Sequence, residues 1–202
     1  MAFYTLSEEE EAVFAGLPLD WLRRCTDWPT VEALNLAFSS SAGVHFALQK
    51  KSRYRQKLQQ AEQDYNGRIT CEAVVPTRAG NLHDLMNVLV WAAFPLSKRR
   101  LHQLQYQELQ NQLAAGSTVR SAVRDRLSMI DEGGVLLHGD RPYVFGHAVL
   151  EQVWGRRPWP RVSLITLPVR HSPDQDLAEY LEQPPLQKLP TVALSSLFPF
   201  GA

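Results

Sequence analysis

A chain of 202 residues, 45% apolar and 21% charged, is long enough for one substantial core and too apolar for global disorder. Basic and acidic side chains balance at 21 each, so no net field draws the chain to nucleic acid or anionic lipid. The two cysteines, Cys25 and Cys71, form no CxxC or zinc spacing, the acidic start is unlike a signal peptide, and no apolar run approaches the ~20 residues of a membrane span.

These features lead to the expectation of a soluble, cytoplasmic protein with reduced thiols. Ser7 and Glu10 form a capping-box pattern, which predicts a short helix over 8–15 ending near Gly16. Residues 18–25 fit a second helix, and Pro29-Thr30 opens a third with Val31, Leu34 and Phe38 at helical spacing. Residues 39–43 read as a loop by composition and 44–48 as a short strand. Tyr54, Leu58, Ala61 and Tyr65 place an apolar stripe on a helix over 53–65, with Asn66-Gly67 as its stop. Residues 69–75 alternate weakly, as strand or irregular chain, and Cys71 reads there as a small core residue. Pro76 holds the backbone extended ahead of the central run 81–95.

Beyond Pro95, Leu101, Leu104, Leu109 and Leu113 mark a long helix with a Gln-rich outer face, closed by Gly116. A brief helix over 119–126 then leads to an expected hairpin, with strands 127–130 and 135–138 around the turn Asp131-Glu132-Gly133-Gly134. Residues 146–154 form a further helix, and 162–167 is the clearest strand. Pro184, Pro185, Pro190 and Pro199 make the tail, from about 184 to 202, an irregular surface arm. The simplest account is one mainly helical α+β domain, 1–202, built on a central buried helix.

That central helix is the most informative stretch. Its last two turns are apolar on every side, which places it inside a core, while its first two carry His83, Asp84 and Asn87. Asn81 as N-cap and Asp84 in the first turn satisfy exposed amides and the macrodipole. Capping does not explain His83 and Asn87. One turn apart, they can touch a single object: a metal, a substrate group or a buried carbonyl. His147 has Glu151 one turn on, either as a surface contact, the favoured reading, or as the orienter of a working imidazole. Asp131 and Glu132 suit a metal or an ordinary turn, and Arg78 suits an anionic ligand or an acidic partner. His45, His102, His138 and His171 have no polar sequence neighbours that single them out. There is no GxGxxG, Walker A, GxSxG or HExxH motif.

Two readings follow. The leading one is a small-molecule site at the start of the central helix, with His83, His147 and Asp131 catalytic and Arg78, Asp84, Asn87 and Glu132 binding the ligand. Metal-assisted hydrolysis is one version, with the cofactor and metal left open. The rival is an interaction protein that uses the Gln-rich helix or the Pro-rich arm to meet a partner or a second copy. The basic runs at 50–55 and 98–100 read as solvated helix faces, which gives little support to nucleic-acid binding.

Val75-Pro76-Thr77-Arg78, Asn81-Leu82-His83-Asp84-Leu85-Met86-Asn87-Val88-Leu89-Val90-Trp91 and Phe94-Pro95-Leu96-Ser97-Lys98 together resemble the signature of an uncharacterised bacterial family, domain of unknown function 3025. Asp131-Glu132-Gly133-Gly134 and Phe145-Gly146-His147-Ala148-Val149-Leu150-Glu151 are similar to its later motifs, and the likeness spans about 21–154. Family members commonly have an aromatic at Leu82 and Phe at Ile130, differences that touch local packing only. The resemblance implies a bacterial, cytoplasmic protein and brings no activity with it. It directs attention to Arg78, Asn81, His83, Asp84, Asn87, Asp131, Glu132 and His147.

Overall fold

The computed structural model describes residues 6–49, 61–182 and 188–198. In chain order the elements are α1 (Glu8–Val13), α2 (Leu19–Arg23), α3 (Val31–Ala42), β1 (His45–Leu48), α4 (Tyr65–Glu72), β2 (Val74–Thr77), α5 (Leu82–Ala93), α6 (Pro95–Ala114), α7 (Ala122–Gly133), β3 (Gly134–His138), β4 (Arg141–Val144), α8 (His147–Trp154), β5 (Arg161–Leu167), α9 (Pro173–Tyr180) and β6 (Thr191–Ala193). Single 3-10 turns lie at Ala61–Gln63 and Leu194–Ser196. This is a mainly helical α+β fold. No helix among the described residues is long and apolar enough to cross a membrane.

Local chemistry sets most boundaries. Ser7 and Glu10 close the capping box of α1, and the Thr30, Ser121 and Ser172 side chains cap α3, α7 and α9. Helix α6 is capped from a distance. The Asp174 carboxylate accepts from the amides of Leu96 and Ser97 at 3.0 and 2.8 Å, and Ser97 Oγ donates to the Asp174 carbonyl at 2.6 Å. That anion at a helix N-terminus fastens α9 to α6.

β1 and β2 pair in parallel, His45 opposite Val74 through Leu48 opposite Thr77. The second sheet has the order β4-β3-β5-β6, with β3 and β5 parallel and the outer pairings antiparallel. Helix α5 lies in the core, its residues from Leu85 to Trp91 all buried. It packs against α3, α6 and α8, which cover the apolar turns on every side.

Five expectations from sequence differ from what is observed. Residues 39–42 continue α3, because Ser39 and Ser41 turn their hydroxyls back onto the Asn35 and Phe38 carbonyls and the chain leaves the helix only at Gly43, at φ 64°. Asn66-Gly67 opens α4 instead of stopping a helix. A Cβ on Gly67 would lie 2.2 Å from the Ala61 carbonyl oxygen, so the glycine is there for close approach. Helix α4 then runs to Glu72, which leaves Cys71 exposed on it, and the strand begins only at Val74.

The hairpin expected around residues 131–134 is the last turn of α7. Val123, Leu127 and Ile130 keep helical spacing behind the Ser121 cap, and the helix persists to Gly133. The actual hairpin joins β3 to β4 through Gly139, at φ 67°. Lastly, the segment expected to be an irregular arm supplies β6 on the edge of β5, and it buries Leu194 and Phe198. Residues 53–60 of the expected amphipathic helix lie outside the described residues.

Candidate functional site

Helices α4, α5, α6, α7 and α8 surround a cavity of about 340 Å3. Arg78, His83, Asp84, Asn87, Asp131, Glu132 and His147 all line it, so seven of the eight polar residues singled out from sequence meet there, and Asn81 does not. They do not all do the same thing.

Arg78 and Asp84 satisfy each other at the rim. The guanidinium donates to the carboxylate at 2.9 and 2.6 Å, and the Arg78 amide adds a third bond at 2.6 Å. Asn81 accepts from the Asp84 amide at 3.0 Å, the cap that the sequence predicts. Deeper in, Asp131 Oδ1 accepts from Lys98 Nζ at 2.5 Å, and the Lys98 side chain is 0% exposed. Burial pushes the Asp131 carboxyl up, but Lys98, His147 and His102 more than reverse this and hold it well below the usual carboxylate range.

The centre of the site is a pair of imidazoles. His83 Nε2 lies 3.0 Å from His147 Nε2, with the rings edge to face. Glu132 Oε2 stands 3.4 Å from the His147 nitrogen and 4.0 Å from that of His83. The other His83 nitrogen, Nδ1, is 3.0 Å from Glu151 Oε2. Glu151 thus accepts a hydrogen bond from His83 Nδ1–H, a tautomer that leaves Nε2 to present a lone pair. The structure gives Glu151 to His83, across two helices, and not to His147 on its own helix.

His147 is 3% exposed, and burial holds its imidazole far below the ordinary value, to about 3, so the ring is neutral at pH 7. Its Nδ1 lies 3.9 Å from Asp131 Oδ1. A ring protonated at Nδ1 turns a positive N–H toward that carboxylate, whereas the other tautomer would turn a lone pair on it. In that tautomer His147 also presents its lone pair at Nε2; in the other, Nε2–H donates to His83 Nε2. With both rings protonated at Nδ1, two lone pairs 3.0 Å apart repel unless a cation lies between them. Burial, and then the Asp131 charge, raise the Glu132 carboxyl, so a cation beside it would favour its ionised form.

His83, Glu132 and His147 are the set with metal-ligand geometry here. Donors at the separations given above share one point about 2.1 Å from each, the length of a zinc–imidazole or zinc–carboxylate bond. A second such cluster, His171, Asp176 and Glu179, is differently occupied. Asp176 is taken up by the amides of Arg170 and His171 and by His138 Nε2 at 2.8 Å.

Gly146 makes this convergence possible. A Cβ there would lie 2.5 Å from the Glu132 carbonyl oxygen and 2.6 Å from Gly133 Cα, so only glycine lets α8 start against the end of α7. Gly146→Ala is expected to lower stability by about 1–3 kcal/mol through forced backbone movement. A urea midpoint equal to wild type would show that the contact relaxes freely.

A family model described as "protein of unknown function (DUF3025)" matches residues 53–164. The chain belongs to this family. The matched segment contains α4 to α8 and every residue of the imidazole–carboxylate cluster. No curated protein matches the chain. Among solved structures, the apo form of the cold-active phenylalanine hydroxylase from Colwellia psychrerythraea 34H aligns over 88% of this chain and 76% of its own, at 12% identity and a TM-score of 0.43. At that level the likeness carries no argument about fold or chemistry.

Several residues of the site lie outside the sequence reading: His102, Tyr65, Asn66 and Gln105 line the cavity, and Lys98 stands behind it, bound to Asp131. Lys98, His102 and Gln105 recur at i, i+4 and i+7 on α6, a polar stripe that faces inward. That periodicity was available in the sequence, where Lys98 reads as part of a solvated basic run and the Gln-rich side as an outer face.

Proposed function

We propose that the protein is a metal-dependent enzyme acting on a small molecule in this cavity, with a divalent ion held by His83, His147 and Glu132. The observation that carries the reading is the mutual approach of two imidazole nitrogens and a carboxylate oxygen at 3.0, 3.4 and 4.0 Å, separations that one ion about 2.1 Å from each would span. Three protein ligands leave a coordination position open, as catalytic ions require. Held by these residues, an ion would supply Lewis-acid polarisation of a substrate oxygen or a hydroxide at neutral pH, chemistry that suits hydrolysis. Glu151 and Asp131 act as positioning residues for His83 and His147, and Lys98 keeps Asp131 ionised.

The test is metal binding by the chain freed of metal with a chelator. One Co2+ per chain is expected, seen as visible d–d absorption and by calorimetry. His83→Ala, Glu132→Ala and His147→Ala should each abolish stoichiometric uptake, and Glu151→Gln should weaken it about 10–100-fold. Wild-type protein that takes up no Co2+, or His147→Ala protein that still binds it normally, would sink the reading.

A further inference from the structure

An ion at the imidazole pair leaves two buried acceptors of the same cavity unexplained. His102 is 1% exposed and Asn87 7% exposed, and both line the cavity. His102 Nε2 and Asn87 Oδ1 have no hydrogen-bond partner among the described residues.

Their neighbours fix what each free atom offers. Asn66 donates through Nδ2 to Asp64 at 3.0 Å, which assigns its Oδ1 as the acceptor facing His102 Nδ1 at 2.8 Å. His102 therefore carries its proton on Nδ1, and its buried Nε2 is a bare lone pair. Burial holds this ring neutral as well, lowering it to about 3. Asn87 donates through Nδ2 to the Tyr65 hydroxyl at 2.9 Å, which leaves Oδ1 as its free atom. Both free atoms are acceptors.

They are also held still. The His102 ring stacks on Trp91 at 5.5 Å and meets the Tyr65 edge at 5.6 Å, while Asn87 sits one turn from His83 on buried α5. Preorganised acceptors in a closed environment select a ligand that donates, because a buried acceptor left unmatched is costly. A fully ionised carboxylate or phosphate offers these acceptors no hydrogen, and the guanidinium groups that line the cavity are engaged by the protein, Arg78 with Asp84, Arg120 with Asp125 and Arg124 with Gln112, which leaves only Arg124 Nε without a partner among the described residues.

We infer that the substrate bears an uncharged nitrogen donor, the NH2 of a primary carboxamide or of an amino-substituted ring, received by Asn87 Oδ1 and His102 Nε2. These two residues set specificity, and the metal ligands set the chemistry. The inference rests on the proposed function only in assigning that donor group to the substrate of the metal site.

Three probes of similar size separate the possibilities: benzamide, N,N-dimethylbenzamide and benzoate, titrated calorimetrically into Zn2+-loaded full-length protein. Benzamide is expected to bind at least tenfold more tightly than the other two. Asn87→Leu and His102→Phe should each weaken it about tenfold, with Zn2+ affinity unchanged. Benzamide that binds no better than its dimethyl analogue, or that ignores both substitutions, overturns the inference while leaving metal uptake to be judged on its own. Conversely, a benzamide preference in protein that takes up no Zn2+ upholds the donor subsite and refutes the metal. The wild-type comparison needs no variant to fold.

Discussion

Lys98→Met is expected to destabilise the protein by about 3–5 kcal/mol, enough to unfold many domains of this size at ambient temperature. The substitution keeps the aliphatic volume and removes only the charge. What remains is Asp131, buried, with its salt bridge to the lysine gone. The ammonium also sits 5.7 Å from the Trp91 ring centre and 5.8 Å from that of Phe145, so its loss removes two cation–π contacts. Asp131→Asn alone should cost a similar amount, because it strands a lysine with 0% side-chain exposure. The double variant Lys98→Met/Asp131→Asn should recover at least half of the loss, since no uncompensated charge is left inside. Urea melts of the four proteins form a double-mutant cycle whose coupling term measures the pair directly. A cost below about 1 kcal/mol for Lys98→Met would mean that water reaches the pair, as at an exposed ion pair.

Some of this arrangement was legible in the sequence and some was not, for reasons that particular residues make clear. His83 and Asn87 stood out because polar side chains on an otherwise all-apolar helix contradict its burial, and such contradictions are resolved locally, within one element. Asp131 and Glu132 were found for their chemistry but placed on the wrong element. Asp followed by Gly-Gly suits a turn, yet the same residues on the last turn of α7 point about 100° apart. That separation lets Asp131 face Lys98 while Glu132 faces the imidazoles. Glu151 was paired with His147 by sequence spacing. Its actual partner, His83, is 68 positions away and is brought there only by the packing of α5 on α8. Lys98 and His102 were hidden for the opposite reason. Their helix is packed against α4, α5, α7 and α9, so its Gln-rich side is partly an inner side, which composition alone does not show.

Acid should destabilise this protein steeply between about pH 6.5 and 4.5. His102 and His147 are held by burial at about 3, against an ordinary value of 6.5. Between those values the unfolded chain binds two protons that the folded chain excludes, so stability rises with pH through this window and is complete above about pH 6.5. One excluded proton per histidine makes the slope for the two about 3 kcal/mol per pH unit. A fall from pH 6.5 to 4.5 thus removes about 5 kcal/mol, comparable with the whole stability of a marginal domain. Glu132 works against this trend, because its carboxyl is raised in the fold and protonating it favours the folded state. Asp131 adds to the loss only at pH values below the ordinary carboxylate range, since its folded value is depressed. Urea midpoints of the chelator-treated chain from pH 4.5 to 8 should therefore slope steeply below 6.5 and flatten above it. His102→Phe keeps a ring against Trp91 but removes one excluded proton, so it should roughly halve the slope. A profile flat down to pH 4.5 would show that both imidazoles reach water, and with that the buried, neutral His147 required by the metal-ligand reading would fall.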